Sequence, residues 1–548
     1  MTNDIEKIAG AAQRGLWANS APSRRGLLIG AGGLGAAAVL ASCGGGSAPS
    51  SSASTSATGT PKRGGNFRLG VTGGGSKDMF DGQNVGTTPD GARLLSAFET
   101  LLTFDDDFRL ASDGLAESVE ADNPTQYTIR LRRGVEFQDG KSMTADDVIY
   151  SLRRVATDVS LRGNSAAASM DIAGIKKMDA HTVRLPLKEP DSTLKEKLAA
   201  YYFSIVPEGY KKFSGDPSTQ IGTGPYRLKS FTPGRESVSE RNPNYWREGQ
   251  PYFDSVTISN FSDTTAQVNA LIGGQIDAMT DVPAAQITAV KARGKNTLVS
   301  ETGWWIGLSM AVDMAPFDDS RVREAFRLMV DRQAMLEQAV SGYGALGNDL
   351  YGRYDVGYFS DLPQRKQDLD KARSLLKAAG HESLSVDLYT TNATGGMVEM
   401  ATVLAKQAKD AGVTVNVRNL PSDTYYGDDY TKRAFCMDYW AARPYLQQVQ
   451  QGSLASSPYN VTHWPPTSGK GAAFQSLYEK ALATTDDDQR IEIEHQMQQL
   501  EYDLGGWIIP FFPSNIDGYA ANVQGLTPAK TTFGLADFGH GFRTIWFA

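Results

Sequence analysis

An α/β fold in two lobes of unequal size is what the sequence predicts, on three observations. The chain has 548 residues, and single hydrophobic cores stop growing near ~250–300 residues. From about Lys62 onward, strand-like and helix-like apolar periods alternate, the βαβ pattern of an α/β protein. Apolar residues make up 41% and charged residues 21%, the composition of a chain that folds along most of its length. The net charge of −8 argues against nucleic acid, whose readers carry a basic face.

The first sixty residues are read as an address and a tether. Ser23-Arg24-Arg25-Gly26-Leu27-Leu28 opens a Gly- and Ala-diluted apolar run and resembles a twin-arginine export signal, although Ile29 stands where a lysine is usual. An ordinary secretory signal is the alternative. Leu40-Ala41-Ser42-Cys43 resembles a bacterial lipobox, in which the thiol is acylated and becomes the new N-terminus. Acyl chains anchor at ~0.8 kcal/mol per buried methylene. Residues 1–42 are thus the export signal and 43–61 a flexible, Gly/Ser/Ala/Thr-rich tether. Beyond residue 50 no apolar run is long enough to span a membrane, so contact with the membrane is expected through the lipid on Cys43 alone.

Strand and helix signals then follow in order. Tyr127-Thr-Ile-Arg-Leu-Arg132 alternates at period two, as a half-buried strand does. Thr144-Ala-Asp-Asp147 predicts a capping box opening a helix to about Arg154. Between Asp318 and Val340, Val322, Ala325, Phe326, Met329 and Val330 fall on one helical face. Leu369, Ala372, Leu375, Leu376 and Ala379 form a similar stripe, stopped by Gly380. Strand Leu384–Tyr389, a helix near Met397–Asp410, Gly412 and strand Val413–Val417 repeat the βαβ unit.

Motifs that would carry chemistry fail in context. Gly30-x-Gly32-x-x-Gly35 lies inside the export signal, and Gly342-x-Gly344-x-x-Gly347 follows a helix where a dinucleotide fingerprint follows a strand. Gly140-Lys141-Ser142 lacks the upstream glycine of a phosphate loop at the right spacing. No Gly-x-Ser-x-Gly elbow is present. The two cysteines, Cys43 and Cys436, exclude a disulfide in the mature chain, and Cys436 is expected to be a buried, inert thiol. The five histidines show no ligand spacing. The expectation is no catalytic residue, no cofactor and no metal, hence no enzyme.

Tyr127-Thr-Ile-Arg-Leu-Arg-Arg-Gly-Val-Glu-Phe-Gln-Asp-Gly-Lys-Ser-Met-Thr-Ala-Asp-Asp-Val148 is a signature that resembles the family 5 extracellular solute-binding proteins, the peptide/nickel-binding group. Three further stretches are similar in the same order. They are Gly222-Thr-Gly-Pro-Tyr-Arg227 with Asn242-Pro-Asn-Tyr-Trp246, then Ser320 to Arg332, then Gly506-Trp507-Ile-Ile-Pro510-Phe511-Phe512. Read from the residues alone, these are fold markers. The Gly-Thr-Gly-Pro turn would supply a positive φ and a fixed φ at a reversal. The resemblance implies a two-lobed periplasmic-binding-protein fold of type II, in the large cluster with an extra subdomain, with the ligand cleft between lobes. Lobe I would be 62–308 with the extra subdomain at about 105–215, lobe II 309–509, and 510–548 the return to lobe I. Hinges would lie near Leu308–Val312 and Trp507–Phe511.

Peptide-binding members of this family carry a Trp-x-x-Asp-Tyr-x-Asp-Pro stretch whose first Asp pairs with the ligand's amino group. Here it reads Phe435-Cys436-Met437-Asp438-Tyr439-Trp440-Ala441-Ala442-Arg443-Pro444, with Arg443 near the place of the second acid. A carboxylate holds an ammonium, a guanidinium holds a carboxylate and an indole floors a pocket. The candidate ligand-binding residues are therefore Asp438, Trp440, Arg443, Asn460, Trp464 and Trp305. Asn460 and Trp464 come from an Asn-x-x-His-Trp stretch similar to one in related members. Asp438 and Arg443 have structural alternatives within lobe II, and Trp304 and Trp305 fit the core as well as the pocket.

The resemblance implies a monomeric, extracytoplasmic, lipid-anchored protein of the periplasm or cell-wall space. It would capture a peptide or other small amine-bearing solute and deliver it to the permease and ATPase subunits of an ABC importer. Two alternatives stay open. One is a non-peptide ligand such as a sugar, an opine, a glutathione-like compound or a metal chelate. The other is a ligand sensor acting on a signalling receptor.

Overall fold

The structure, a computed structural model, describes residues 59–211, 216–466, 470–531 and 533–548. The export signal, Cys43 and nearly all of the tether lie outside the described residues. Among those described, no helix is long and apolar enough to cross a membrane.

Three sheets organise the chain. The largest runs Lys295–Glu301, Phe511–Ala520, Ala278–Met279, Asn66–Thr72, Ser255–Phe261, Glu236–Arg241, Tyr226–Thr232. Asn66–Thr72 lies parallel to both Ser255–Phe261 and Ala278–Met279, and the other pairs are antiparallel. The second sheet runs Val413–Asn419, Leu384–Thr390, Phe435–Trp440, Trp305–Met310, Trp507–Ile508. The third is a four-stranded antiparallel sheet of Ala116–Asn123, Gln126–Leu131, Thr182–Pro186 and Lys176–Asp179. Each sheet has its own core: Phe67, Val256 and Phe542 under the first, Ile306, Phe326 and Met437 under the second, Ile129, Val148 and Leu185 under the third.

Local sequence accounts for most of these elements. In Gln126–Leu131 the alternate residues Tyr127, Ile129 and Leu131 are buried, and Asp147 accepts from the Thr144 N–H at 2.9 Å at the start of helix Ala145–Thr157. Leu384–Thr390 and Val413–Asn419 pair in parallel around helix Met397–Asp410, with Gly412 at φ +83° closing the crossover. The stripe from 318 to 340 is two helices, Ser320–Met329 and Arg332–Val340. Val330 turns extended, and the Asp331 carboxylate caps the second helix by accepting the Ala334 N–H at 3.0 Å.

Two expectations are corrected. Neither Gly222 nor Gly224 has positive φ. A Cβ at Gly222 would sit 2.0 Å from the Ala97 carbonyl oxygen and one at Gly224 2.6 Å from the Ala97 carbonyl carbon, so close backbone approach demands glycine there. The chain passes from the first sheet to the second earlier than Leu308–Val312. All six residues of Trp305–Met310 are buried and pair with Phe435–Trp440, so the chain changes sheet at 302–304. It returns at 509–510, between Trp507–Ile508 and Phe511–Ala520. A short strand, Gly344–Leu346, also pairs with Phe511–Pro513.

Helix Ser320–Met329 works on this return. Buried Arg327 donates to the carbonyls of Trp507 at 3.2 Å and of Gly505, and Arg323 to that of Leu504 at 2.7 Å. Those of Leu504 and Gly505 are the last carbonyl of helix Asp487–Leu504 and its cap, which lack partners within the helix, and that of Trp507 belongs to the strand that follows.

Candidate functional site

Strand Phe435–Trp440 lies in the interior of the second sheet. Its alternation puts Cys436, Asp438 and Trp440 on one face, in register with Ser309, Gly307 and Trp305. A Cβ at Gly307 would come 2.9 Å from the rings of both Trp305 and Trp507, so glycine opposite Asp438 lets the indoles close. The strand ends at Trp440, and a turn through Arg443 leads to helix Tyr445–Gly452. Ligand crevices of open α/β sheets form at this kind of strand end.

Asp438 is fully buried. The Tyr430 hydroxyl donates to one carboxylate oxygen, and the Tyr439 N–H lies 2.9 Å from the other. Tyr425, Tyr426 and Tyr439 surround it; burial raises their phenols well above the ordinary range, and the Asp438 charge adds to this. The Tyr426 hydroxyl is buried without a hydrogen-bond partner.

The Arg443 guanidinium stacks over Trp440, 5.1 Å from its ring centroid, and reaches Gln451 Oε1 at 3.4 Å. Among the described residues no carboxylate lies within ion-pair distance of it. Desolvation lowers its pKa, opposed chiefly by Tyr202, Tyr201 and Tyr459. Tyr201 and Tyr202 come from the unit built on the third sheet, so Arg443 faces across the cleft. Burial pushes the Tyr202 phenol up to about 12. This tyrosine pair was not legible as a site; after helix Leu194–Ala199 it reads as ordinary packing.

Trp440 is buried, with its indole N–H unpartnered. Behind it Trp305 joins a stack: Trp440 at 6.2 Å, Tyr351 at 5.9 Å and, edge-on, Trp507 at 4.9 Å. Trp305 is thereby core to the second lobe, 1% exposed, and supports the floor without facing open space. Asn460 spends its amide on the carbonyls of Leu454 at 2.9 Å and Trp464 at 2.6 Å, lacing its own loop. Trp464 is buried against Phe474. The structure therefore brings Asp438, Trp440 and Arg443 together and assigns Asn460, Trp464 and Trp305 to packing.

Beside Arg443 a cavity of about 350 Å³ opens between the third-sheet unit and the second lobe; Phe104, Tyr127 and Glu196 line one side, Asp355, Pro444 and Arg490 the other. Cys436 lies in the core with its Sγ 3.0 Å from Ser309 Oγ, and burial pushes its thiol up to about 11, which leaves it unreactive. Among the described residues no group of three or more His, Cys, Asp or Glu is arranged to hold a metal ion.

Beneath the aromatic stack, Glu501 accepts from the Tyr351 hydroxyl and from that of Tyr445 at 2.7 Å, and burial raises its carboxyl to about 7. Burial raises Asp517 in the first lobe to about 8. Raised carboxyls keep protons that the unfolded chain releases, so the stability they contribute is full below the unfolded value and is lost as pH rises through the folded one. The thermal midpoint of the wild type should therefore fall between about pH 5 and pH 8. Glu501→Gln and Asp517→Asn should each flatten part of that fall in calorimetric scans.

Three comparisons bear on this geometry. The profile described as Bacterial extracellular solute-binding proteins, family 5 Middle, matches residues 112–457. The peptide transport periplasmic protein SapA of Salmonella typhimurium is 25% identical over 468 residues, covering 79% of this chain and 83% of SapA. The glutathione-binding protein GsiB of Salmonella choleraesuis is 26% identical over 449 residues, covering 78% and 86%. Among solved structures, the ABC transporter substrate-binding protein CtaP from Listeria monocytogenes superposes with a TM-score of 0.77 at 20% identity, covering 89% of this chain and all of CtaP.

Proposed function

Because the chain belongs to the bacterial extracellular solute-binding proteins of family 5, we propose that it captures a small zwitterionic solute between its lobes and hands it to the permease and ATPase subunits of an ABC importer. The solute is a peptide or a comparable amine- and carboxylate-bearing compound. Asp438 holds the ammonium, Arg443 the carboxylate, and Trp440 is the floor. One observation carries the reading: Arg443 is a desolvated guanidinium facing the opposite lobe, with Gln451 and an indole for company and, among the described residues, no carboxylate within ion-pair distance, Asp438 acting on it only from farther off. A half-buried, desolvated cation of this kind is satisfied by an anion that arrives from outside. Names among the relatives support the ligand class, since SapA is named for peptide transport and GsiB for glutathione, itself a zwitterionic peptide.

A ligand touching both lobes favours the closed form by its extra contacts, and the closed form is what a permease engages. Lobe I on this reading is 62–304 with 510–548, the extra subdomain is the unit built on the third sheet, and lobe II is 305–509. Native mass spectrometry of the freshly purified protein tests the ligand class directly. A retained mass with one amine and one carboxylate fits, and a neutral sugar would replace this reading with a different one.

The protein is held to the outer face of the cell membrane through an acylated Cys43. Cys43→Ser should move it from the membrane fraction to the soluble fraction without changing ligand affinity. Persistence in washed membranes would overturn the anchor.

A further inference from the structure

The two lobes also meet at a point outside the Asp438–Arg443 pair. Helix Lys470–Ala483 of the second lobe ends with carbonyls that have no partner inside the helix. Ser192, from the extra subdomain, supplies two donors to them. Its N–H lies 2.9 Å from the Leu482 carbonyl oxygen, and its hydroxyl 3.0 Å from that of Ala481. These bonds join residues 289 positions apart for the hydroxyl, on units with separate cores.

The turn that presents Ser192 is rigid for reasons internal to the subdomain. Asp191, buried just before it, accepts from Lys197 Nζ at 2.6 Å, from the Ser169 hydroxyl at 2.6 Å, and from the Thr193 hydroxyl at 2.6 Å. Its carbonyl accepts the Tyr127 hydroxyl at 3.1 Å. Each of these partners lies in the subdomain, so the donor is in place before the lobes meet. The remaining space beside the contact is the cavity of about 350 Å³ that Ser192 itself lines.

We propose that the Asp191–Ser192 turn is a closure latch, capping the C-terminal end of helix Lys470–Ala483 in trans when the lobes come together. Opening exposes the Leu482 carbonyl to water and leaves that of Ala481 with only the Thr484 N–H at 3.1 Å; closing gives each a donor from Ser192, so the latch biases the closed state without touching the ligand. It goes beyond the zwitterion reading, and its test needs no ligand, so the two can fail separately.

Hydrogen exchange on the ligand-free full chain reads the latch at one amide. Ser192→Ala keeps the N–H and removes the hydroxyl. One lost hydrogen bond of ordinary strength should speed exchange at position 192 roughly fivefold, while the amides of Ile129 and Leu185 in the subdomain sheet stay unchanged. An unchanged rate at 192, or a parallel rise at 129 and 185, would make Ser192 a structural residue of its own subdomain and overturn the latch. A second variant, Ser192→Cys with Leu482→Cys, is read by small-angle scattering. Reduced, it should have a larger radius of gyration than wild type; oxidised, it should return to the compact value. Equal radii in the two redox states would also overturn the proposal.

Discussion

Arg443→Ala should weaken ligand binding about 30-fold or more in isothermal titration while leaving the ligand-free thermal midpoint nearly unmoved. The affinity loss follows from removing one member of a charge pair that closure buries, a cost of roughly 2–5 kcal/mol, and ~1.4 kcal/mol is a factor of ten. The unmoved midpoint follows from the surroundings. Arg443 sits in a turn, with one long hydrogen bond to Gln451 and a stack on Trp440. Arg443→Lys should rescue little, because an ammonium replaces the planar fork with a point charge. Asp438 differs: fully buried and bonded to Tyr430, it supports its lobe as well as a ligand. Asp438→Ala should lose affinity to the same degree but also lower the midpoint, since the Tyr430 hydroxyl is left without its acceptor. Asp438→Asn keeps the shape and is the cleaner variant. Wild-type affinity in both Arg443→Ala and Asp438→Asn would place the pocket elsewhere between the lobes.

The same contrast shows what the sequence makes legible. Period and punctuation carried the βαβ unit from Leu384 to Asn419 and the capping box at Thr144, because backbone satisfaction is decided within a few residues. Trp305–Met310 defeated that logic. A strand buried on both faces shows no alternation, so its apolar run cannot be told from a crossing between lobes. The break at Val330–Asp331 was hidden because its apolar stripe continues through Val330, and only the Asp331 cap betrays it. At the candidate site, residue type suggests chemistry but says nothing of exposure. Asp438, Trp440 and Arg443 lie within six positions, so the strand end and the turn after it bring them together. Asn460 and Trp464 carry suitable groups as well, yet their loop consumes them in its own hydrogen bonds and packing. Tyr201 and Tyr202 come from more than 200 positions away, and local pattern holds no trace of such a meeting.

Asp349→Asn should cost the protein about 3–5 kcal/mol and lower the midpoint of the second lobe by about 10 °C. Asp349 is buried at φ +64°, a left-handed conformation that Asp and Asn tolerate, so the substitution leaves the backbone unstrained and removes only charge. Its carboxylate takes both oxygens to Arg332, at 2.8 and 2.6 Å, and one to Arg365 at 2.6 Å. It also accepts the Ile509 N–H at 3.1 Å, where the chain leaves the second lobe. Burial alone would raise this carboxyl; Arg332 and Arg365 hold it below the usual range. The stability it gives is therefore present above the unfolded carboxylate value and is lost only as pH falls through the lower folded one. Asparagine leaves Arg332 without any carboxylate and Arg365 with the longer contact to Glu324 at 3.4 Å, two cations in a core that already holds Arg327. Breaking a buried pair from one side strands the other, whereas a surface pair such as Lys377–Glu382 would be worth under about 1 kcal/mol. Differential scanning calorimetry at pH 7 decides the matter. A midpoint within about 2 °C of wild type would show that water reaches these guanidiniums and that the core between the helix signature and the return crossing is wet.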